Sequence, residues 1–163
     1  MQHYRGLYKL YDITGQKRVR NFKTQVTVLC GATGTGKSRL AAEIAAENSS
    51  MYYKTRGEWW DNLPPNCDAI IIDEFYGWLK YDELLKIMDR YPYQVPVKGG
   101  FVSFASKHIV ITSNAPIANW YHFDNYQPDA ILRRVDLYCL DRVPTLQEVM
   151  VLCPTDYEDN QDE

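Results

Sequence analysis

The sequence predicts an α/β fold in which helices flank a central, mostly parallel five-stranded sheet, with a β-hairpin insertion. Three observations support this prediction. Short β-branched runs alternate along the chain with stretches that favour helix. A glycine-rich motif that suits phosphate binding separates the first such run from the first helical stretch. A later apolar run ends in two adjacent carboxylates, and parallel sheets bind ligands at the carboxyl ends of their strands.

The first half of the chain supplies three predicted strands and one helix. Residues 26–30 (VTVLC) form a short β-branched run that is typical of a buried strand. Residues 38–47 are rich in alanine, leucine and glutamate, which favour helix. Residues 51–54 are a candidate second strand, and residues 67–73 (CDAIIID) have the continuous apolar run of a central strand.

The second half adds two strands, two short helices and the hairpin. Residues 80–89 carry apolar side chains at helical spacing. Residues 93–104 predict a hairpin, because β-prone stretches flank Gly99 and Gly100, which supply the positive φ of a tight turn. Residues 108–112 are a further predicted strand. Residues 128–134, with proline near the start, are a predicted helix, and residues 135–140 are the last predicted strand.

Composition excludes several classes of protein. The 163 residues are 45% hydrophobic and 24% charged, as in ordinary globular domains. No apolar run is long enough for a membrane span, and the first residues lack the apolar core of a signal peptide. The four cysteines form no C-x-x-C pair, which argues against structural zinc and a disulfide framework. With a net charge of −3, any nucleic-acid contact must be a local basic patch.

The glycine-rich motif at residues 31–38 (GATGTGKS) matches G-x-x-x-x-G-K-[ST] without departure. Its glycines let backbone N–H groups converge on an anion, and the following helix adds its positive end. Lys37 is expected to reach the phosphates of ATP, and Ser38 to ligate Mg²⁺. The alternative, a glycine-rich turn without a ligand, is disfavoured by the strand before the motif and the helix after it. The predicted nucleotide-binding residues are Gly31, Gly34, Thr35, Gly36, Lys37 and Ser38.

Asp73 and Glu74 follow the buried run of residues 67–73, beside the expected position of the phosphate-binding loop. Asp73 is expected to hold Mg²⁺, directly or through water. Glu74 could act as the general base that polarises the attacking water. The alternative is that the pair merely ends the strand on a solvated turn.

Asn114 and an arginine pair are further catalytic candidates. Asn114 follows another buried strand, and its amide could contact the γ-phosphate and the attacking water; the alternative is a turn before Pro116. Arg133 and Arg134 follow a short helix, and one of them could stabilise charge on the γ-phosphate of a neighbouring subunit. The alternative for the pair is a solvated face or a salt bridge, and the sequence leaves open which arginine acts.

Lys98 lies at the predicted tip of the hairpin and is the candidate contact to single-stranded DNA, since lysine attracts phosphate without reading bases. The alternative is an exposed lysine that protects an edge strand from further pairing.

Taken in order, these motifs resemble the superfamily 3 helicase domain, of the AAA+ class of P-loop ATPases, in replication-associated proteins of circovirus-like viruses. In that family Lys37 and Ser38 would belong to Walker A, Asp73 and Glu74 to Walker B, Lys98 to the B′ hairpin and Asn114 to motif C. The resemblance rests on GATGTGKS (31–38), GEWWD (57–61), IIIDEFYGWL (70–79), DRYP (89–92), VKGG (97–100), ITSN (111–114) and LRR (132–134).

The resemblance implies a hexameric ring that hydrolyses ATP between subunits and moves 3′ to 5′ along single-stranded DNA in rolling-circle replication. It implies an arginine finger at Arg133 or Arg134, hairpins that point into the channel and residence in the host nucleus. We expect residues 1–22 to be part of an oligomerisation segment, residues 23–152 to be the ATPase domain and residues 153–163 to be a disordered acidic tail. With three histidines and no H-x-H, the family's nicking domain is expected to be absent.

Two other functions remain as alternatives. One is a binding module in which nucleotide only controls assembly on DNA. The other is a P-loop kinase, which would leave Lys98 and the strand before Asn114 without a role.

Overall fold

The computed structural model describes residues 17–143 and Glu148. The strands, in chain order, are β1 (Gln25–Gly31), β2 (Met51–Tyr53), β3 (Ala69–Ile72), β4 (Tyr93–Val97), β5 (Gly100–Phe104), β6 (His108–Ser113) and β7 (Asp136–Leu140). The helices are α1 (Lys37–Ala46), α2 (Tyr81–Ile87) and α3 (Asp129–Leu132), with a 3₁₀ turn at Ile117–Asn119. Each predicted strand and helix is present, with bounds that differ from the prediction by at most two residues. The 3₁₀ turn was not predicted.

The five-stranded sheet has the order β2-β3-β6-β1-β7, and each pair of neighbouring strands is parallel. Strands β4 and β5 form a separate antiparallel hairpin. The predicted α/β fold and hairpin insertion are therefore confirmed. The register aligns Cys30 of β1 with Ser113 of β6, and Ile72 of β3 with Ile111 of β6. The loops that follow β1, β3 and β6 consequently leave the sheet at one common edge.

Side chains of the central strands alternate between two buried faces, as the period of a strand requires. One face packs against α1 and holds Leu29, Ile71 and Val110 of the sheet against Leu40, Ala41, Ile44 and Ala45 of the helix. The opposite face holds Val26, Val28, Ile70, Ile72, Ile109 and Ile111 together with the aromatic residues Trp60, Phe75, Phe104 and Trp120. Burying both faces makes the sheet a rigid platform, since each enclosed Leu or Ile contributes about 1.5–3 kcal/mol.

Two arginines attach the segment before β1 to this core. Arg18 forms an ion pair with Asp68, with a nitrogen–oxygen distance of 2.6 Å. Arg20 is buried and donates to backbone carbonyls at the end of α2 and in the turn after it, those of Lys86, Ile87, Asp89 and Tyr91. Burial lowers the pKa of the Arg20 guanidinium to about 10, against the opposing charge of Asp89.

Several expectations concern residues that lie outside the described part of the chain. They are the oligomerisation segment, of which only residues 17–22 are described, the final stretch of the ATPase domain and the acidic tail at residues 153–163. None of the helices in the described residues has the length and apolar character needed to cross a membrane.

Candidate nucleotide-binding site

The P-loop (residues 31–38) joins β1 to α1 at the carboxyl edge of the sheet. A Cβ atom at Gly31 would lie 2.3 Å from the Leu140 carbonyl oxygen, so only glycine allows β7 to approach this closely. Gly36 caps α1 with a φ of 77°, a left-handed conformation that favours glycine. Gly34 lies exposed at the middle of the loop. The loop conformation thus depends on its glycines, as the sequence motif predicts.

The ammonium group of Lys37 forms hydrogen bonds within the P-loop itself. Lys37 is buried, and its ammonium donates to the Ala32 carbonyl oxygen at 2.6 Å and to Thr35 Oγ1 at 3.3 Å. Thr35 in turn donates to the same Ala32 carbonyl at 2.8 Å. The positive charge of Lys37 therefore lies inside the concave loop, where a phosphate would compete for it with a single carbonyl and a hydroxyl.

Asp73 lies beside the P-loop, because β3 ends next to β6 at the same edge. Ser38 Oγ donates to Asp73 Oδ1 at 2.8 Å, and Thr112 Oγ1 donates to the same oxygen at 2.6 Å. Hydroxyl and carboxylate oxygens are the hard ligands that Mg²⁺ prefers. No group of three or more metal-binding side chains occurs in the described residues. This donor set fits a Mg²⁺ ion that takes its remaining ligands from phosphate and water.

Glu74 follows directly and adopts an unusual backbone conformation. Its φ is 52°, a left-handed value that costs a non-glycine residue about 1–2 kcal/mol. Its backbone N–H donates to Thr112 Oγ1 at 2.8 Å, and its side chain is exposed. Such conformations persist where the surroundings hold them, and they concentrate at functional sites.

Asn114 is exposed at the first position after β6. Because β6 lies between β3 and β1 in the sheet, Asn114 follows the strand between the P-loop and the turn that carries Asp73. The preceding Ser113 is buried and fixes this turn. Its hydroxyl lies 2.6 Å from the Phe75 carbonyl oxygen, and it accepts from Trp120 Nε1 at 3.0 Å. The backbone that carries Asn114 is thus connected to the turn that carries Asp73 and Glu74.

The two arginines Arg133 and Arg134 lie in different environments. Arg134 donates to the Ala130 carbonyl at 2.7 Å and pairs with Asp89 at 3.6 Å. Arg133 caps the end of α3 and is exposed. Within residues 17–143 we find no hydrogen bond or ion pair from the Arg133 side chain, and none from either arginine to the P-loop.

Lys98 lies at the tip of the β4–β5 hairpin, with Gly99 at a φ of 93°. Gly100 has no positive φ and begins β5, so the prediction that both glycines supply the turn was wrong. The backbone N–H of Lys98 donates to Asp61 Oδ1 at 2.8 Å, and its ammonium lies 3.9 Å from Asp61 Oδ2. This exposed ion pair is weak, since such pairs contribute about 0–1 kcal/mol.

The loop between β2 and Asp61 forms, together with Tyr76, a basic and aromatic surface, and Asp61 joins this loop to that tip. Lys54 is buried beneath it and donates to the carbonyls of Thr55, Gly57 and Trp59 at 2.6, 2.7 and 2.9 Å. Above it, the guanidinium of Arg56 covers the ring of Tyr76 at 5.1 Å, and the side chains of Trp59 and Tyr76 are 41% and 51% exposed. The sequence alone does not indicate that Arg56, Trp59 and Tyr76 share one surface.

Sequence reasoning also missed Thr112 and Ser113, which contact Asp73 and the turn that follows it. The available signals were two polar residues at the end of an otherwise apolar strand and their place in the ITSN stretch (111–114).

Comparison with known proteins identifies the family. Residues 27–115, more than half of the chain, match a family model described as RNA helicase. The replication-associated protein of Canary circovirus is 50% identical over 132 residues, covering 81% of this chain and 44% of that protein. The corresponding protein of Beak and feather disease virus is 44% identical over 160 residues, covering 96% of this chain and 53% of the relative. That of Porcine circovirus 2 is 40% identical over 121 residues, covering 74% and 38%.

The chain spans about half or less of the length of these relatives. The match to the family model lies across the P-loop, the turn after β3 and the end of β6. The chain therefore belongs to the RNA helicase family, as a superfamily 3 helicase-type domain similar to circovirus replication-associated proteins.

Proposed function

We propose that this chain hydrolyses ATP to move 3′ to 5′ along single-stranded DNA and unwind duplex DNA during rolling-circle replication. The observation that carries the proposal is the contact between Ser38 and Asp73 at the P-loop, with Glu74 beside it. This contact brings the candidate phosphate-binding loop, the two candidate metal ligands and the candidate base together at one edge of the sheet.

The residues divide the chemistry as follows. Lys37 would exchange the Ala32 carbonyl for phosphate oxygens, so its ammonium keeps a hydrogen-bond acceptor while gaining an opposite charge. Ser38 and Asp73 would hold Mg²⁺, which when bound neutralises charge on the transferred phosphoryl group. Glu74 would accept the proton of the attacking water, and Asn114 would orient that water. The rigid sheet keeps these groups at fixed separations, as a site that acts by positioning requires.

We also propose that the active site is completed by a neighbouring copy in a hexameric ring. The support is that no arginine of residues 17–143 forms a hydrogen bond or ion pair with the P-loop, whereas Arg133 is exposed at the end of α3. An arginine supplied by a second subunit is worth about 10³–10⁵ in turnover in comparable phosphoryl-transfer sites.

The first test is the rate of ATP hydrolysis per chain, measured against protein concentration with and without single-stranded DNA. We expect a steep rise with concentration and a further rise with DNA. A rate that is independent of both would indicate a site contained within one chain and would favour the kinase or the binding-module alternative.

Arg133 is the arginine that we expect to act on the neighbour, because Arg134 is already held by Asp89 and Ala130. Arg133→Ala should lower hydrolysis by assembled chains about 10³-fold. Arg134→Ala should lower the melting temperature more than Arg133→Ala does. Mixing Arg133→Ala with Lys37→Ala should restore part of the activity, since such mixed assemblies contain some interfaces with both groups intact. Absence of rescue would contradict an arginine supplied in trans.

A further inference from the structure

Thr112 connects the two carboxylates of the candidate site. It lies one residue before the end of β6, and its side chain is 1% exposed. Its hydroxyl donates to Asp73 Oδ1 at 2.6 Å and accepts the backbone N–H of Glu74 at 2.8 Å. Its own carbonyl accepts the N–H of Phe75 at 2.8 Å. One residue of β6 thus forms hydrogen bonds with all three residues that follow β3.

We propose that Thr112 is a positioning residue for catalysis, whose single hydroxyl orients the metal-binding carboxylate and holds the backbone of the candidate base. This inference rests on the proposed ATPase function and deepens it. Neither the motif assignments nor the family resemblance gives Thr112 a role.

The contact to Asp73 sets the orientation of a metal ligand. A threonine hydroxyl has one proton to donate, and here that proton goes to Asp73 Oδ1. Ser38 contacts the same oxygen, but Ser38 is itself a proposed ligand of the cation. Thr112 is therefore the donor that can remain on Asp73 when the cation is bound. Partners of this kind typically change metal affinity or activity about 10–100-fold when they are removed.

The contact to Glu74 sets the backbone of the base. Glu74 is held at a φ of 52°, which is unfavourable for a residue with a side chain. The hydrogen bond from its N–H to Thr112 Oγ1 stabilises this conformation. Without the Thr112 hydroxyl, the Glu74 amide loses this partner. Losing the hydroxyl would let the backbone of Glu74 relax and turn its carboxylate away from the attacking water.

Thr27 offers a matched control for a purely structural role. It lies on the adjacent strand β1, is 4% exposed, and its hydroxyl lies 2.9 Å from His108 Nε2 at the opposite end of the sheet. Thr27→Val removes a buried hydroxyl contact of the same kind without touching Asp73 or Glu74.

The test compares Thr112→Val, Thr112→Ser and Thr27→Val with the unchanged chain. Two quantities are measured: kcat for ATP hydrolysis, and the Mg²⁺ concentration that half-saturates tight binding of a fluorescent ATP analogue. We expect Thr112→Val to lower kcat and raise that Mg²⁺ concentration, each about 10-fold or more, while affinity for the analogue without Mg²⁺ is retained. Thr112→Ser, which keeps the hydroxyl, should remain within about threefold for both. Thr27→Val should lower the melting temperature but leave the Mg²⁺ dependence unmoved.

The result that would overturn the proposal is an unchanged Mg²⁺ dependence and kcat in Thr112→Val, or equal losses in Thr112→Val and Thr112→Ser. If Thr112→Val does not fold, Thr112→Ala removes the hydroxyl without adding a methyl group at its position and is judged by the same criteria. If the unchanged chain hydrolyses no ATP, the proposed function fails, whereas Mg²⁺-dependent binding of the analogue still decides the role of Thr112.

Discussion

The Glu74→Gln variant is expected to bind ATP as tightly as the unchanged chain and to lose at least about 100-fold in kcat, the usual contribution of a general base. The amide of glutamine has nearly the size of the carboxylate but cannot accept the proton of the attacking water. Because the Glu74 side chain is exposed, the substitution leaves the packing of the core intact. The measurements are single-turnover hydrolysis and the dissociation constant of ATP with Mg²⁺.

Glu47→Gln is the matched control for this prediction. Glu47 is exposed at the end of α1, so its substitution makes the same change of charge away from the site. It should hydrolyse ATP at the rate of the unchanged chain. If Glu74→Gln retained its kcat, the base would have to be another group, and the assignment of the turn after β3 would be wrong.

The Lys98→Ala variant is expected to lose DNA unwinding and the stimulation of ATP hydrolysis by single-stranded DNA. Lys98 is 61% exposed, and its ion pair with Asp61 is weak enough for a DNA phosphate to replace it. Each lost phosphate contact on single-stranded DNA should also lower the slope of log affinity against log salt by about 0.7. Strand displacement and DNA affinity at several salt concentrations measure these effects.

Lys23→Ala is the control for Lys98→Ala, because Lys23 is an exposed lysine of the segment before β1. It should unwind DNA normally and keep the salt slope. Unwinding that survives Lys98→Ala would show that the hairpin does not engage the strand. In that event the basic and aromatic surface of Arg56, Trp59 and Tyr76 would be the next DNA contact to test, since aromatic rings stack on bases regardless of sequence.

Local sequence patterns were sufficient to predict the elements of the fold and the order of the candidate groups. The β-branched runs of β1, β3 and β6 are buried on both faces, so their composition identifies them directly. The parallel sheet then brings the P-loop, Asp73 and Asn114 to one edge, because the carboxyl ends of parallel strands meet there. These placements need only periodicity and motif spacing.

Contacts between residues that are far apart in the sequence could not be predicted from local patterns. Thr112 and Asp73 are 39 positions apart, and only the register of β3 with β6 brings them into contact. Arg134 and Asp89 likewise meet through tertiary packing, which is why the sequence left the two arginines equivalent. Lysine side chains usually lie at the surface, whereas Lys54 is buried. Burial lowers the pKa of its ammonium to about 8, and three backbone carbonyls accept hydrogen bonds from it.

The burial of Arg20 has a consequence for how distant parts of the described chain are held together. The same short turn after α2 receives Arg20 from the start of the described chain and, through the Asp89 carboxylate, Arg134 from its end. Because Arg134 adjoins Arg133, this turn also anchors the backbone next to the arginine proposed to reach a neighbour. The segment before β1 and the end of α3 are therefore attached to the same turn, Arg20 by hydrogen bonds and Arg134 by an ion pair, through contacts that do not involve the sheet.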